Sequence, residues 1–285
     1  MKVVEPILAV LVVTLAAFVA TQATVQGASD KHAAAGTLVA ATAAAARTSD
    51  REDDAPRRAA AVASDESVMM TSGRAEGRLS GAPPYVLDVP RDAAWSGMEM
   101  RRRLGQGTDG TYIGELLRAR DSVITRWPAR LVTPLRVWVG DGGLYEGWQT
   151  QFPAVVREAF DEWAATGIPV RFTYVRDSAG ADVRVRFVPA FEEGISGRTI
   201  WSRDSAWWLV GGEIDLSLSH PTGGAVSTLQ LRAIALHEIG HLLGLDHVDD
   251  PAHIMAPRVR VRSLSDADRA TIRLIYSVPA GSTRD

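Results

Sequence analysis

Apolar positions recur at helical spacing in three stretches of the second half of the chain. The first stretch predicts an amphipathic helix over about 150–165. The second opens with a capping box at Ser227 and predicts a helix that runs to Leu243. The third predicts a helix over about 266–277, directly after a serine of the kind that caps helix N-termini. The pattern therefore predicts three helices separated by long connecting segments.

Five shorter stretches predict β-strands. The alternation is clearest over 182–188, where Val183, Val185 and Phe187 are separated by polar residues and would lie on one face of a sheet. The predicted order of elements is β-α-β-β-β-α-loop-α, which favours an α+β fold. The five predicted strands span residues 135–139, 170–175, 182–188, 199–202 and 213–218.

The first part of the chain lacks this patterning. Residues 1–27 begin with a positive charge and continue into an apolar run followed by small residues, which predicts a signal peptide or a signal anchor. Residues 28–110 alternate alanine-rich stretches with charge clusters and contain few large apolar residues, which predicts a low-complexity linker or a propeptide. The globular domain is predicted over 111–278, and residues 279–285 are predicted to form a tail.

Composition narrows the chemistry that this domain can perform. The sequence contains no cysteine, which excludes disulfides, thiolate metal ligands and cysteine nucleophiles. Histidine, aspartate and glutamate remain as the usual protein ligands for a metal ion. The formal net charge of −3 gives no electrostatic reason to expect a nucleic-acid partner. The placement of the six histidines therefore carries the strongest functional signal.

Three of the histidines, His237, His241 and His247, lie close together in the sequence. The first two are four residues apart, so they share one face of a helix and can bind one metal ion. Gly244 can adopt the left-handed conformation that ends a helix, which lets the third histidine turn back toward the same ion. Three nitrogen ligands leave a position for water, which is typical of a catalytic zinc ion. Glu238 lies next to the first ligand without sharing its face and is the expected general base.

This spacing resembles the elongated zinc signature of the metzincin metallopeptidases. That family has a methionine-containing turn beneath the metal, and Met255 and Pro257 lie where this Met-turn is expected. Within the metzincins the chain most resembles the matrixins, over roughly residues 125–278. The resemblance implies a twisted mixed sheet with two long helices, and a C-terminal helix beyond the Met-turn. It also implies one catalytic zinc ion and the ligands and base named above.

Departures from the matrixin pattern mark the chain as a divergent member, which we expect to be prokaryotic. Matrixins often hold a structural zinc ion between the third strand and the active-site helix, but His220 is the one histidine in that region. The propeptide cysteine that keeps many of these enzymes latent is absent. Val248 follows the third histidine, where matrixins usually have serine. The spread carboxylates of Asp182, Glu213 and Asp215 are candidate calcium ligands.

These features predict a secreted or membrane-anchored zinc endopeptidase in which Glu238 is the base for a zinc-activated water. The substrate strand is expected to pair with a sheet edge at 199–202, and the loop 257–264 is expected to line the pocket beyond the scissile bond. We expect a monomer that acts on a protein or peptide and contacts a membrane only through residues 1–27. The alternative is a non-catalytic, zinc-containing interaction module tethered at the cell surface. The intact Glu238 favours the enzyme.

Export is the prediction that residues 1–27 generate. We expect an extracellular or periplasmic mature protein that begins near Thr24, because the small residues before it are typical of a signal cleavage site. N-terminal sequencing of the protein recovered from each cell fraction measures this. Full-length protein in the soluble cytosolic fraction would contradict export, and uncut protein in the membranes would favour the anchor.

Overall fold

The computed structural model describes residues 70–73, 75–79 and 95–284, which lie in one compact unit formed by residues 64–285. The predicted export segment 1–27 and most of the predicted linker lie outside the described residues. Among the residues that are described, no helix is long and apolar enough to cross a membrane.

The described residues form five helices and ten strands. The helices are α1 (Gly97–Gly105), α2 (Ile113–Ala119), α3 (Phe152–Ala164), α4 (Thr228–Leu242) and α5 (Asp266–Ile275). The strands are β1 (Met70–Thr71), β2 (Glu76–Leu79), β3 (Val123–Ile124), β4 (Arg130–Val139), β5 (Val170–Val175), β6 (Val183–Val188), β7 (Gly197–Arg203), β8 (Leu209–Ser217), β9 (Arg258–Val259) and β10 (Gly281–Ser282).

A six-stranded mixed sheet forms one layer of the domain. Its spatial order is β2-β7-β8-β6-β4-β5. Neighbouring strands are parallel, except that β7 and β8 are antiparallel. Helix α4 packs against α3, β7 and β8, and α3 also contacts β5, so the two long helices lie against this sheet. This architecture confirms the predicted α+β fold, including the mixed sheet and the third helix near the C-terminus.

Helix α4 is buried over most of its length. All residues over 233–242 are buried, and the predicted capping box at Ser227 is present at the N-terminal end. At the other end, the indole nitrogen of Trp127 donates a hydrogen bond to the carbonyl oxygen of Leu242 at 2.9 Å. Since the last carbonyl groups of a helix have no partner within it, this bond satisfies one of them. The helix that carries two of the metal-ligand candidates is thus fixed at both ends.

Helix α3 presents an apolar stripe to the core. Phe152, Phe160 and Trp163 on this stripe are fully buried. The indole nitrogen of Trp163 also donates a hydrogen bond to the carbonyl oxygen of Leu236 at 2.9 Å. This bond joins α3 to α4 at the residue before His237, so the packing of two helices positions the start of the histidine cluster.

The packed domain extends beyond the predicted limits at both ends. Helix α1 lies in the segment predicted as linker, before residue 111, and its Met100 and Leu104 are buried in the core. Strand β10 lies in the predicted tail and pairs with β3. The apolar pair in α1 is four residues apart, but three consecutive arginines separate its members and give the segment a polar composition. Strand β10 is too short for a period of two to be recognised.

Candidate metal centre and active site

The three histidines of the signature come together at the C-terminal end of α4. His237 and His241 lie one turn apart on this helix, and His247 lies in the segment that follows it. One ligand atom from each of the three residues lies within 4.8 Å of the other two. The Nε2 atoms of His237 and His247 are 3.3 Å apart. The structure thus places all three imidazoles around a common point.

The chain reverses direction after α4 at Gly244. The φ angle of this residue is +109°, which is in the region that favours glycine. A Cβ atom there would lie 2.1 Å from the carbonyl oxygen of Thr125, so a side chain would also collide with the neighbouring backbone. Two constraints at one position therefore require glycine, and the reversal returns His247 to the end of the helix.

Backbone carbonyl groups orient two of the imidazole rings. Nδ1 of His237 donates to the carbonyl oxygen of Ile254 at 2.6 Å, and Nδ1 of His241 donates to that of Leu245 at 3.1 Å. With the proton on Nδ1, the Nε2 lone pair of each ring is available to a metal ion. Burial lowers the pKa of His237 to about 3 and the pKa of His241 well below its usual value. Both rings are therefore neutral, as metal ligands must be.

The buried donor set fits a metal ion. Nε2 of His241 is buried and has no hydrogen-bond partner among the described residues. An unpaired buried polar atom is costly, and a metal ion would satisfy it. Three imidazoles without a thiolate suit zinc, with a further position left for water or substrate. His237, His241 and His247 would therefore hold one zinc ion.

Glu238 lies next to His237, and hydroxyl groups hold both of its carboxylate oxygens. Thr199 Oγ1 donates to Oε2 at 2.6 Å, and Ser72 Oγ donates to Oε1 at 2.8 Å. Burial is the largest influence on this carboxyl group and raises its pKa to about 7, against the opposing effect of the two hydroxyl groups. A carboxylate with such a pKa can exchange a proton near neutral pH.

Met255 packs against α4 at Gly240. The residue is fully buried. Its sulfur atom would lie 2.3 Å from a Cβ atom at Gly240, so it occupies space that the glycine leaves free on the helix. The carbonyl oxygen of Met255 accepts a hydrogen bond from the backbone of Val248, the residue after His247. The predicted Met-turn therefore contacts both parts of the histidine cluster.

Residues from the predicted linker lie across the cleft beside Glu238. Strand β1 pairs antiparallel with β9, and the backbone N–H of Ser72 donates to the carbonyl oxygen of Pro257 at 3.1 Å. On the other side, the N–H of Gly73 donates to the carbonyl oxygen of Gly197 at 3.1 Å, and β2 continues parallel to β7. The sheet edge at 199–202 is therefore not exposed, contrary to the prediction, because residues 76–79 of the same chain pair with it.

No pattern in the sequence indicates the two hydroxyl groups that contact Glu238, although Thr199 lies in a predicted strand. Ser72 lies in the low-complexity segment, 166 positions before the carboxylate, and Thr199 lies 39 positions before it. Hydroxyl residues are common in both settings, so neither carries a recognisable pattern. Only the fold brings them to the site.

The candidate calcium ligands are engaged by arginines. Asp182 accepts hydrogen bonds from Arg136, and both Glu213 and Asp215 accept them from Arg186. These carboxylates already have cationic partners. Nothing within the described ranges supports a calcium ion.

Loss of one histidine should abolish metal binding. We expect one zinc ion per chain in the wild-type protein and in His220→Gln, whose imidazole lies in a separate loop, but none in His241→Gln. Because bound metal stabilises the folded state, added zinc should raise the melting temperature of the first two proteins only. Elemental analysis and thermal unfolding measure both effects. Zinc retained by His241→Gln, or lost from His220→Gln, would contradict the assignment.

Comparison with known proteins points to one family. Residues 146–277 match the sequence model of the family described as Matrixin. Metalloendoproteinase 1-MMP of Arabidopsis thaliana is 30% identical over 125 residues, which cover 38% of this chain and 32% of the relative. Metalloendoproteinase 1 of Glycine max is 32% identical over 109 residues, which cover 37% of this chain and 32% of the relative.

The chain therefore spans about a third of the length of the curated relatives that it matches. Both are plant proteins, so they give no support to the expectation of a prokaryotic member. The matched segment contains all three histidines, Glu238 and Met255. We conclude that residues 146–277 are a matrixin-like segment within an α+β fold of the metzincin type.

Proposed function

We propose that this protein is a zinc-dependent endopeptidase. The observation that carries the proposal is the combination of three convergent imidazoles with Glu238, a buried carboxyl group with a raised pKa that directly follows the first of these histidines on α4. A structural metal site has no use for such a base, whereas hydrolysis of a peptide bond requires one. The two relatives are both named metalloendoproteinases, which supports the same class of reaction here.

In the proposed reaction the three histidines would hold the zinc ion and Glu238 would transfer the proton. When bound by the three histidines, zinc would polarise the scissile carbonyl group and make the attacking water more acidic. Glu238 would accept a proton from that water and deliver it to the amine of the leaving peptide. Thr199 holds Oε2 from β7, so Oε1 is the oxygen that can receive the proton once Ser72 has withdrawn.

We further propose that residues 70–79 keep the enzyme latent, as the predicted propeptide. While β2 pairs with β7, a substrate strand cannot pair with the edge of β7. Ser72 also donates a hydrogen bond to Oε1 of Glu238, the atom to which the attacking water would otherwise donate. Backbone bonds to Pro257 and Gly197 hold the segment on both sides of the cleft. Because the chain has no cysteine, this latency would depend on strand pairing and a hydroxyl group.

The place of action and the substrate class are also proposals. We propose that the enzyme works outside the cytoplasm, as a monomer, on protein or peptide substrates, with residues 1–27 as its signal or anchor. Exposed Arg258, which lies in β9, and exposed Arg260 line a cavity together with Asp249. Side chains that enter this cavity would meet more positive than negative charge.

Met70→Asp should open the cleft in the full chain. Met70 is fully buried, and an ionised carboxylate in its place would favour release of the segment. We expect hydrolysis of a fluorogenic peptide library to rise at least about tenfold, which corresponds to a shift of only 1.4 kcal/mol. The matched control is Leu79→Asp in β2, because that side chain is 67% exposed and should tolerate charge.

Two results would contradict latency. One is an unchanged rate in Met70→Asp, and the other is an equal rise in Leu79→Asp. Thermal unfolding of each variant shows whether the domain itself remains folded. Thiol-reactive mercurials should leave the wild-type rate unchanged, because they have no cysteine to modify.

Glu238→Gln should separate the peptidase from a binding module. Glutamine keeps the size of the side chain but cannot accept the proton, so hydrolysis should fall by roughly 10²–10⁴-fold. Zinc content should stay at the wild-type level. The comparison is made in the Met70→Asp background with the same peptide library, and Glu158→Gln, on the exposed face of α3, is the control.

The outcomes distinguish the two functions. If no variant cuts any peptide although all bind zinc, the non-catalytic module is the better description. If Glu238→Gln cuts as fast as its parent, the carboxylate is not the base. Loss of activity in Glu158→Gln would show that the assay does not report on this site.

A further inference from the structure

Arg120 lies at the end of α2, outside the matrixin-like segment, yet it reaches the metal centre. Its side chain is only 8% exposed. Nε donates to Oδ2 of Asp246 at 3.2 Å, and Nη2 donates to the carbonyl oxygen of Leu245 at 2.9 Å. The guanidinium also lies 5.2 Å from the ring centroid of Trp201. The buried guanidinium group therefore donates hydrogen bonds to two consecutive residues of the turn after α4.

The two groups that Arg120 binds are themselves bound to metal-ligand candidates. The carbonyl oxygen of Leu245 also accepts the Nδ1 hydrogen bond of His241 at 3.1 Å. The other carboxylate oxygen of Asp246 accepts a hydrogen bond from the backbone N–H of His247 at 2.8 Å. The guanidinium of Arg120 thus shares an acceptor oxygen with the ring of His241. It is also linked through the Asp246 carboxylate to the backbone N–H of His247.

We propose that Arg120 is a positioning residue of the metal centre, which sets the affinity of the three histidines for their ion by fixing the turn at Leu245 and Asp246. It does not bind the ion itself. The inference rests on the zinc centre proposed above, but its readout is metal affinity. It can therefore fail or succeed whether or not the protein hydrolyses peptides.

The geometry of the turn explains why such a residue is needed. His241 belongs to α4, but His247 follows the reversal at Gly244 and is outside the helical ladder. The relative position of the two imidazoles therefore depends on the turn. Groups around the ligands that orient them commonly change metal affinity by roughly 10–100-fold when they are removed. A planar guanidinium can hold a carbonyl oxygen and a carboxylate in one fixed arrangement, which a lysine cannot reproduce.

A purely structural role makes a different prediction. If Arg120 only attached α2 to the rest of the domain, its removal would lower the stability of the metal-free and zinc-loaded proteins alike. Zinc affinity would then be unchanged. A positioning role lowers the affinity and reduces the gain in melting temperature that zinc provides.

The experiment compares Arg120→Met, Arg120→Lys and the control Arg118→Met in the full chain. Methionine keeps apolar bulk against Trp201 but has no donor, lysine keeps the charge without the fork, and Arg118 is an exposed residue of the same helix. Competition with a chromogenic chelator measures the zinc dissociation constant, and the visible spectrum of the cobalt-substituted protein reports ligand geometry. We expect Arg120→Met to bind zinc roughly 10–100-fold more weakly, with an altered cobalt spectrum. Arg120→Lys should lie between it and the wild type, and Arg118→Met should match the wild type.

Asp246→Asn provides a second route if Arg120→Met does not fold. The amide can still accept the hydrogen bond of His247 but no longer pairs with the guanidinium as an anion. In the positioning role, Asp246→Asn weakens zinc binding. Adding Arg120→Lys weakens it further, but by less than the product of the two single losses, because both changes break the contact between residues 120 and 246. Zinc affinity within twofold of the wild type in the Arg120 and Asp246 variants, or losses that multiply in the double variant, would overturn the proposal.

Discussion

The burial of α4 is the constraint on which the site depends. His237, Glu238 and His241 lie on this helix and are fully buried, so each of their polar atoms needs a partner inside the protein or an ion. The carbonyl groups of Ile254 and Leu245 take up the Nδ1 protons, which leaves the Nε2 atoms facing inward. The metal site therefore follows from the satisfaction of buried imidazoles. The same burial gives Glu238 its raised pKa.

This constraint also relates the proposed latency to the proposed catalysis. Both oxygens of Glu238 accept hydrogen bonds while Ser72 is in place. When the segment withdraws, Oε1 needs another donor, because a buried carboxylate oxygen without a partner is costly. A water molecule can take that position, and this is the molecule from which a general base would accept a proton. In the latent form Ser72 donates the hydrogen bond that Oε1 needs, and in the active form the attacking water would donate it.

Long apolar patterns in the sequence predicted the three helices around the site and five of the six strands of the main sheet, whereas the single contacts that complete the site have no pattern. Helix α3 and strand β6 lie where apolar spacing predicted them, because each buries a continuous face. Strands β1 and β9 have two residues each, which is too short for a period of two to be read. Ser72 and Arg120 reach the site across the fold, and no spacing links an isolated polar residue to a distant partner. The histidines differ because two of them share one helix face and glycine marks the reversal before the third.

Because the sequence contains no cysteine, the latency of the proposed enzyme cannot depend on a thiolate. A hydrogen bond to a charged group contributes about 1.5–3 kcal/mol, whereas ordering the backbone costs about 1–2 kcal/mol per residue. The contact between Ser72 and Glu238 therefore cannot by itself hold a segment as long as 70–79. The remainder must come from strand pairing on both sides of the cleft and from burial of Met70, about 1.5–3 kcal/mol for a side chain of this type. Since the stabilisation is spread over the whole segment, activation would proceed by detaching a strand, and a reagent that acts on a single atom would have little effect.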